Sequence, residues 1–168
     1  FWQAIEASNL TLPTKIAFKL TILLGERSTE LIEAPWSEIE GLEGNAPRWA
    51  LPAARNKGKS DKVLPLPPMA AELMRELRAA TGKTPWLIPA RGRNAKLRPA
   101  HPSLLTGALR QLRSTELLSC AHFTPHDLRR TMANRMSEEL GVSDEAIKGV
   151  LGHARSDVTS VHYTQSQQ

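Results

Sequence analysis

The sequence is short of cysteine, of aromatic residues and of long hydrophobic runs. Only one of its 168 residues, Cys120, is a cysteine, so no disulfide can form within the chain and a cysteine-built zinc cluster is excluded. Aromatic residues make up 5%, and no apolar stretch approaches the roughly 20 residues that a membrane-spanning helix needs. The sequence also has no internal repeat and no low-complexity segment. Its ordinary proportions of hydrophobic and charged residues exclude a disordered tail, a collagen-like repeat and a coiled-coil rod.

The composition that remains is that of an ordinary globular domain. Hydrophobic residues make up 40% of the chain and charged residues 23%. A chain of this length can bury roughly 70% of its unfolded surface without disulfides or metals. It begins at Phe1 and no basic-then-apolar leader opens it. We therefore expect residues 1–168 to be one domain, cut from a longer cytosolic protein.

The pattern of hydrophobic and turn-forming residues predicts a mainly helical fold with a small antiparallel three-stranded sheet. A helical repeat ends at Gly25, and Ser28 is expected to cap a short helix over 29–34. Three extended segments, 36–40, 48–51 and 62–66, are separated by turn residues and predict a meander. Later helices are expected after Pro68, Ser103, Thr124 and Ser143, with a last one over 156–163. Strands and helices do not alternate, so a doubly wound nucleotide-binding fold is not predicted.

Positive charge is concentrated in two short segments. The chain has 22 Lys and Arg against 17 Asp and Glu, a net charge of +5. One cluster consists of Arg55, Lys57, Lys59 and Lys62, and the other of Arg91, Arg93, Lys96 and Arg98. Both clusters fit solvated loops, and both fit loops that contact the phosphates of a nucleic acid. Composition alone does not choose between the two interpretations.

Two basic side chains stand at the start of the helix that follows Thr124. His126 and Arg129 are three residues apart, so both point to one side of the first turn. A helix N-terminus already attracts anions through its free N–H groups and its dipole. This pattern suits a bound phosphate, although it also fits a surface histidine and arginine on a capped helix. Arg130 lies four residues after His126, so spacing does not choose between the two arginines.

Two further residues with possible chemistry lie near the end of the sequence. His153 directly follows Gly152, and Tyr163, the only tyrosine, comes ten residues later. Each on its own also fits a helix cap or a packing residue. Histidines crowd this third of the chain, but no HExxH motif and no cysteine pair accompanies them, so a metal site is not expected.

Taken in chain order, these pieces form a set. They are Arg27 in the segment Gly-Glu-Arg-Ser-Thr-Glu-Leu, Lys57 in the predicted sheet turn, His126-Asp127-Leu128-Arg129, Leu151-Gly152-His153 and Tyr163. The ordered set resembles the catalytic domain of the tyrosine recombinases, also called phage-type integrases. The resemblance covers nearly the whole chain, and segment 29–40 looks like the prophage and genomic-island branch. It implies the mainly helical catalytic-domain fold of that family.

The resemblance implies a role for each matching residue. Tyr163 would attack a DNA phosphodiester and form a 3′-phosphotyrosyl link with release of a 5′-hydroxyl. Arg27 and Arg129 would hold the non-bridging oxygens of that phosphate, and His153 would donate a further hydrogen bond. Lys57 would protonate the leaving oxygen, although Lys59 occupies the same turn. His126 would assist proton transfer, and Glu30 matches an acidic position with a supporting role.

The resemblance also implies partners and a location. The reaction would be a transesterification without Mg²⁺, ATP or another cofactor. The partner would be double-stranded DNA at attachment sites in the bacterial cytoplasm, close to the nucleoid. The full-length protein would act as a tetramer at two paired sites and the isolated fragment would be monomeric; whether accessory DNA-bending proteins take part stays open. Predicted DNA contacts beyond the catalytic set are Arg55, Lys59, Lys62, Arg91, Arg93, Lys96, Arg98 and Arg130.

Two other functions compete with this one. A non-catalytic DNA-binding module could keep the same fold, but the complete set from Arg27 to Tyr163 argues against it. A metal-dependent nuclease built on the late histidines would lose activity in EDTA, whereas a tyrosine recombinase would not. Changing Tyr163 to Phe separates the recombinase from the non-catalytic module. Binding should survive in both cases, but cleavage should be lost only in an enzyme.

Overall fold

The computed structural model describes residues 1–118 and 120–152. Its three strands are β1 (Ile39–Glu40), β2 (Arg48–Leu51) and β3 (Lys62–Pro65), and short 3-10 turns cover Trp36–Glu38 and Gly92–Lys96. The helices are α1 (Trp2–Ala7), α2 (Leu12–Leu24), α3 (Ser28–Ile32), α4 (Pro68–Thr81), α5 (Leu104–Ser114), α6 (Pro125–Glu138) and α7 (Asp144–Leu151). The mainly helical class with one small sheet is therefore as predicted, while the helix predicted over 156–163 lies outside the described residues.

Helix α2 forms the centre of the fold. It packs against α3, α4, α5 and α6, and its Ile16, Phe18 and Leu20 side chains are completely buried. Gly25 ends the helix in the left-handed conformation, with φ of 61°. Glycine adopts this conformation without steric cost, so the chain can change direction sharply where the helix ends.

The three strands form an antiparallel sheet in the order β1-β2-β3. Trp49 of β2 pairs with Ile39 on one side and with Leu64 on the other, and its side chain is fully buried. The predicted first strand over 36–40 is wrong for its first three residues, which form a 3-10 turn, and only Ile39–Glu40 joins the sheet. The Trp36 N–H donates to the carbonyl of Pro85, 2.7 Å away, and Pro35 bridges Trp86, so this segment pairs with a distant loop instead of the sheet.

Three other predicted boundaries differ from the structure, and one is the end of β3, at Pro65 instead of residue 66. Ser28 is the first residue of α3 and Arg27 occupies the N-cap position, without a side-chain capping bond. Helix α3 also ends at Ile32, before the predicted limit at residue 34. No helix of the described residues is both long and apolar enough to cross a membrane.

Candidate active site

The turn between α2 and α3 positions the first arginine of the predicted site. A side chain at Gly25 would be strained by the positive φ and would also meet the Cε atom of Met132, 1.8 Å from the ideal Cβ position. The positive φ favours glycine at this position, whereas the Met132 methyl is the end of a flexible side chain that can move aside. Glu26 follows in this turn with its side chain buried, and Arg27 comes next.

Glu30 ties Arg27 to the sheet. Its Oε1 atom accepts a hydrogen bond from the guanidinium of Arg27 at 3.0 Å and from the backbone N–H of Lys57 at 3.1 Å. Burial alone would raise the pKa of the Glu30 carboxyl, but these two donors outweigh it and lower the pKa. Glu30 is thus a buried anion that joins α3 to the turn between β2 and β3.

Arg129 reaches the same place from α6. Thr124 and Asp127 form a capping box at the start of this helix, with Pro125 at its first position. Arg129 is 3% exposed, and its guanidinium donates to the carbonyls of Gly25 and Leu151, which lie at the C-termini of α2 and α7. Burial lowers the pKa of Arg129, and the neighbouring charge of Arg27 lowers it further. An arginine nevertheless stays protonated under all physiological conditions.

Arg27, His126 and Arg129 line one small cavity. It has a volume of about 180 Å³, with Glu26, Arg27, Ser28 and Thr29 on one side and Pro125, His126 and Arg129 on the other. Arg130, the arginine that helical spacing left as an alternative, faces solvent and lies 3.7 Å from Asp127. The cavity therefore brings together two guanidinium groups and one imidazole from segments about a hundred residues apart in the chain. Such a group of donors suits an anion with several oxygens, such as a phosphate.

The turn between β2 and β3 carries both lysines proposed for the leaving-group role. Its shape depends on Asn56, whose buried amide donates to the Ser60 carbonyl at 2.7 Å and accepts from the Gly58 N–H at 3.0 Å. The Lys57 and Lys59 side chains are both exposed. Only the backbone of Lys57 is tied to Glu30, and Lys59 has a left-handed φ of 55°.

Two cations of the same segment point inward. Arg55 binds the Glu38 carboxylate, with N–O distances of 2.6 and 2.8 Å, and also donates to the Glu30 carbonyl at 3.0 Å. Lys62 donates to the Glu26 carboxylate and to the Val150 carbonyl at the end of α7. Both were predicted as DNA contacts, and both are engaged inside the protein.

The second basic segment lies elsewhere. The Ala90 N–H bonds to the Arg98 carbonyl at 3.1 Å and closes a loop whose cations, Arg91, Arg93, Lys96 and Arg98, are exposed. Arg91 and Arg98 line a cleft with residues of the first turn of α2, whereas the cavity of Arg27 lies beyond its last turn. Their role as DNA contacts stays a prediction.

His153 and Tyr163 lie outside the described residues. The description ends at Gly152, which closes α7 in the left-handed conformation with φ of 65°. The Gly152 carbonyl is 3.3 Å from the ideal Cβ position of Gly58, so the end of α7 lies against the β2–β3 turn.

Sequence reasoning did not single out Glu26 or the inward position of Lys62, since nothing in the local pattern distinguishes a buried charge from an exposed one. Among the described residues no three His, Cys, Asp or Glu side chains form a possible metal site.

Comparison with known proteins identifies the family. The Phage integrase family profile matches residues 1–168, and the chain therefore belongs to that family. It is similar to the prophage integrase IntA of Escherichia coli K12, with 25% identity over 164 residues. That match covers 98% of this chain and 37% of IntA, so the chain spans little more than a third of that relative's length.

Solved structures agree in fold. The catalytic core of lambda integrase has a TM-score of 0.65 and 21% identity, with 90% of this chain and 88% of that chain covered. A lambda integrase tetramer bound to a Holliday junction has a TM-score of 0.66 at 21% identity, over 96% of this chain and 44% of that chain. The predicted tyrosine recombinase catalytic-domain fold is confirmed.

Proposed function

We propose that residues 1–168 are the catalytic domain of a longer site-specific DNA recombinase, which cleaves and rejoins DNA strands by transesterification. The observation that carries this proposal is the convergence of Arg27, His126 and Arg129 on one cavity. Each of these residues matches a position of the family pattern, and the cavity collects the donors that a phosphodiester requires. Family membership and fold support the same conclusion.

The chemistry exchanges one phosphate ester for another. The Tyr163 hydroxyl gives up its proton with the assistance of His126, and its oxygen forms a bond to phosphorus. The bond from phosphorus to the 5′-oxygen breaks, and Lys57 gives its proton to that oxygen. The products are a 3′-phosphotyrosyl link and a free 5′-hydroxyl, so the ester is conserved and rejoining is the reverse reaction. Tyrosine has an ordinary pKa of about 10 and needs cations and a base to attack at neutral pH.

The charged groups act mainly on the transition state. Negative charge grows on the phosphoryl oxygens as the Tyr163 bond forms, and fixed cations stabilise that charge more than the ground state. Arg27 and Arg129 suit this role because a guanidinium keeps its proton and presents several donors in one plane. His126 assists proton transfer and His153 donates a further hydrogen bond. Of the two exposed lysines, Lys57 is preferred because Glu30 holds its backbone beside Arg27.

The proposed partner is double-stranded DNA carrying attachment sites. One structural neighbour is a tetramer on a Holliday junction, and by analogy the full-length protein would act as a tetramer, with the isolated domain monomeric. The bacterial cytoplasm is the proposed location, in contact with the nucleoid. Integration, excision and resolution all use the same strand exchange, so the proposal covers the reaction and leaves the biological task open.

A covalent adduct tests the proposal. The full-length parent protein is incubated with nicked duplexes carrying each candidate attachment site, so that the cleaved strand cannot religate. We expect a protein–DNA adduct that survives denaturation and forms in the presence of EDTA. The Tyr163→Phe variant should bind the same DNA and give no adduct. DNA binding without any adduct from the parent would indicate a non-catalytic module, and an adduct that persists in Tyr163→Phe would exclude the assigned nucleophile.

A further inference from the structure

A buried ion pair adjoins the cavity of Arg27 and Arg129. The Glu26 side chain is 1% exposed and that of Lys62 is 11% exposed. Glu26 belongs to the α2–α3 turn and Lys62 to β3, 36 residues apart in the chain. Glu26 also lines the cavity, whereas Lys62 lines a separate groove formed by α2, β3, α6 and α7.

Lys62 and Arg129 together hold the end of α7. Lys62 donates to the carbonyl of Val150 and Arg129 to that of Leu151. These carbonyls belong to the last turn of the helix, where they have no partners within the helix and carry the negative end of its dipole. Arg129 also binds the carbonyl of Gly25, the residue before Glu26. The contacts thus form a closed ring, from Glu26 to Lys62, to the end of α7, to Arg129 and back to the α2–α3 turn.

The charges that face this pair are all part of the same cluster. Burial raises the pKa of the Glu26 carboxyl and lowers the pKa of Lys62, each against the attraction of its partner. The other charged groups that act on the pair are Arg129 and Glu30. A buried charge without its partner is strongly destabilising, whereas replacing both charges by uncharged groups is often tolerated. A single substitution therefore measures the cost of a lone buried charge, whereas the double substitution measures the loss of the contact itself.

We propose that Glu26 and Lys62 are a positioning pair, which fixes the C-terminus of α7 beside the two arginines. Gly152 directly precedes His153 in the sequence, so the pair fixes the end of α7 one residue before a member of the predicted catalytic set. Lys62 then acts inside the protein, through α7, and makes no contact with DNA. The inference deepens the proposed function and rests on it.

The test uses the full-length protein with the double substitution Glu26→Gln and Lys62→Met, which removes the anchor without leaving a lone buried charge. We expect amide exchange in the last turn of α7 to become roughly tenfold faster, while α4 exchanges at its original rate. We also expect a rate of adduct formation lower by about ten- to a hundredfold, with DNA affinity nearly unchanged. If the Met-containing variant does not fold, Glu26→Gln with Lys62→Gln takes its place.

A second lysine–carboxylate pair provides the control. Lys19 on α2 binds Glu6 on α1, and neither residue lines the cavity. The substitution Glu6→Gln with Lys19→Met should leave both α7 exchange and the rate of adduct formation unchanged.

The outcomes separate the two proposals. Unchanged α7 exchange in the Glu26–Lys62 variant overturns the positioning pair, even for a protein that forms no adduct. Faster exchange with an unchanged adduct rate overturns its link to the chemistry. Absence of an adduct from the unaltered protein overturns the proposed function, whatever the exchange shows.

Discussion

Segments 55–62 and 91–98 each carry four cations, yet the structure uses them differently. In the first, Arg55 and Lys62 are engaged with the carboxylates of Glu38 and Glu26. In the second, all four cations are exposed, and none forms an ion pair with an acid among residues 1–118 and 120–152. The density of positive charge in a sequence is therefore a poor guide to its use. What decides is whether buried carboxylates from other segments converge on the cations.

The comparison predicts that the cations of the two segments have different roles. Cations near the α2–α3 turn either serve the chemistry or hold the fold, whereas those of the 91–98 loop are free to contact a polyanion. Substitutions in the two regions should therefore differ in which measurement they change: adduct formation, unfolding free energy or salt dependence.

The largest effect is expected at Arg27. Replacing it by Gln removes a fixed charge from the proposed phosphate site, and loss of one such donor typically lowers the rate by about 10²- to 10³-fold. The rate of adduct formation at saturating DNA measures it. Arg93→Gln is the control from the 91–98 loop and should cleave at the original rate under the same conditions. An Arg27→Gln protein that keeps the original rate would remove this residue from the catalytic set.

A stability effect is expected for Arg55. The Glu38 carboxylate, 8% exposed, accepts from Arg55 and from the indole of Trp49 at 2.9 Å. The substitution Arg55→Met leaves that anion without its cation, which should lower the unfolding free energy by about 3 kcal/mol. Urea denaturation of the chain measures the change. The exposed Arg93→Met should stay within about 0.5 kcal/mol of the original, and equal effects at the two positions would contradict the comparison.

A smaller effect is expected on the salt dependence of DNA binding. Each phosphate contact contributes roughly 0.9 to the slope of log K against log salt concentration. The double substitution Arg93→Gln and Lys96→Gln in the full-length protein should lower that slope by up to about 2. Arg55→Met should leave it unchanged, because that guanidinium is bound to Glu38. A loop variant with the original slope would show that the loop makes no phosphate contacts.

Local signals predicted much of the fold, and contacts between distant segments account for what they missed. Gly25, Thr124-Pro125 and Ser143 mark helix ends where the structure has them, because a left-handed glycine and a helix cap depend on neighbouring residues only. The first strand was predicted three residues too early because Trp36 bonds to Pro85, almost fifty residues away.

The candidate site also has features that local patterns predict and features that depend on contacts between distant segments. Helical spacing predicted that His126 and an arginine share one side of α6, but only the packing of α2 and α7 against that helix distinguishes buried Arg129 from exposed Arg130. The inward position of Lys62 likewise depends on Glu26 and on the end of α7, which no local pattern brings to it. The roles of His153 and Tyr163 stay predictions, since both lie outside the described residues.

The smallest effect is expected at Asp127, whose charge is held locally rather than by a distant segment. The backbone N–H and then the hydroxyl of Thr124 lower the pKa of this carboxyl below its ordinary value of 3.8. A carboxyl with a lowered pKa stabilises the fold above its ordinary value, and the contribution disappears as the pH falls through the lowered one. Urea midpoints should therefore be lower for Asp127→Asn than for the original near neutral pH, with the difference closing in acid. The exposed Glu43→Gln is the control for loss of a surface carboxylate, and its urea midpoint near neutral pH should match that of the original. A difference for Asp127→Asn that is constant with pH would mean that Asp127 caps α6 without its charge.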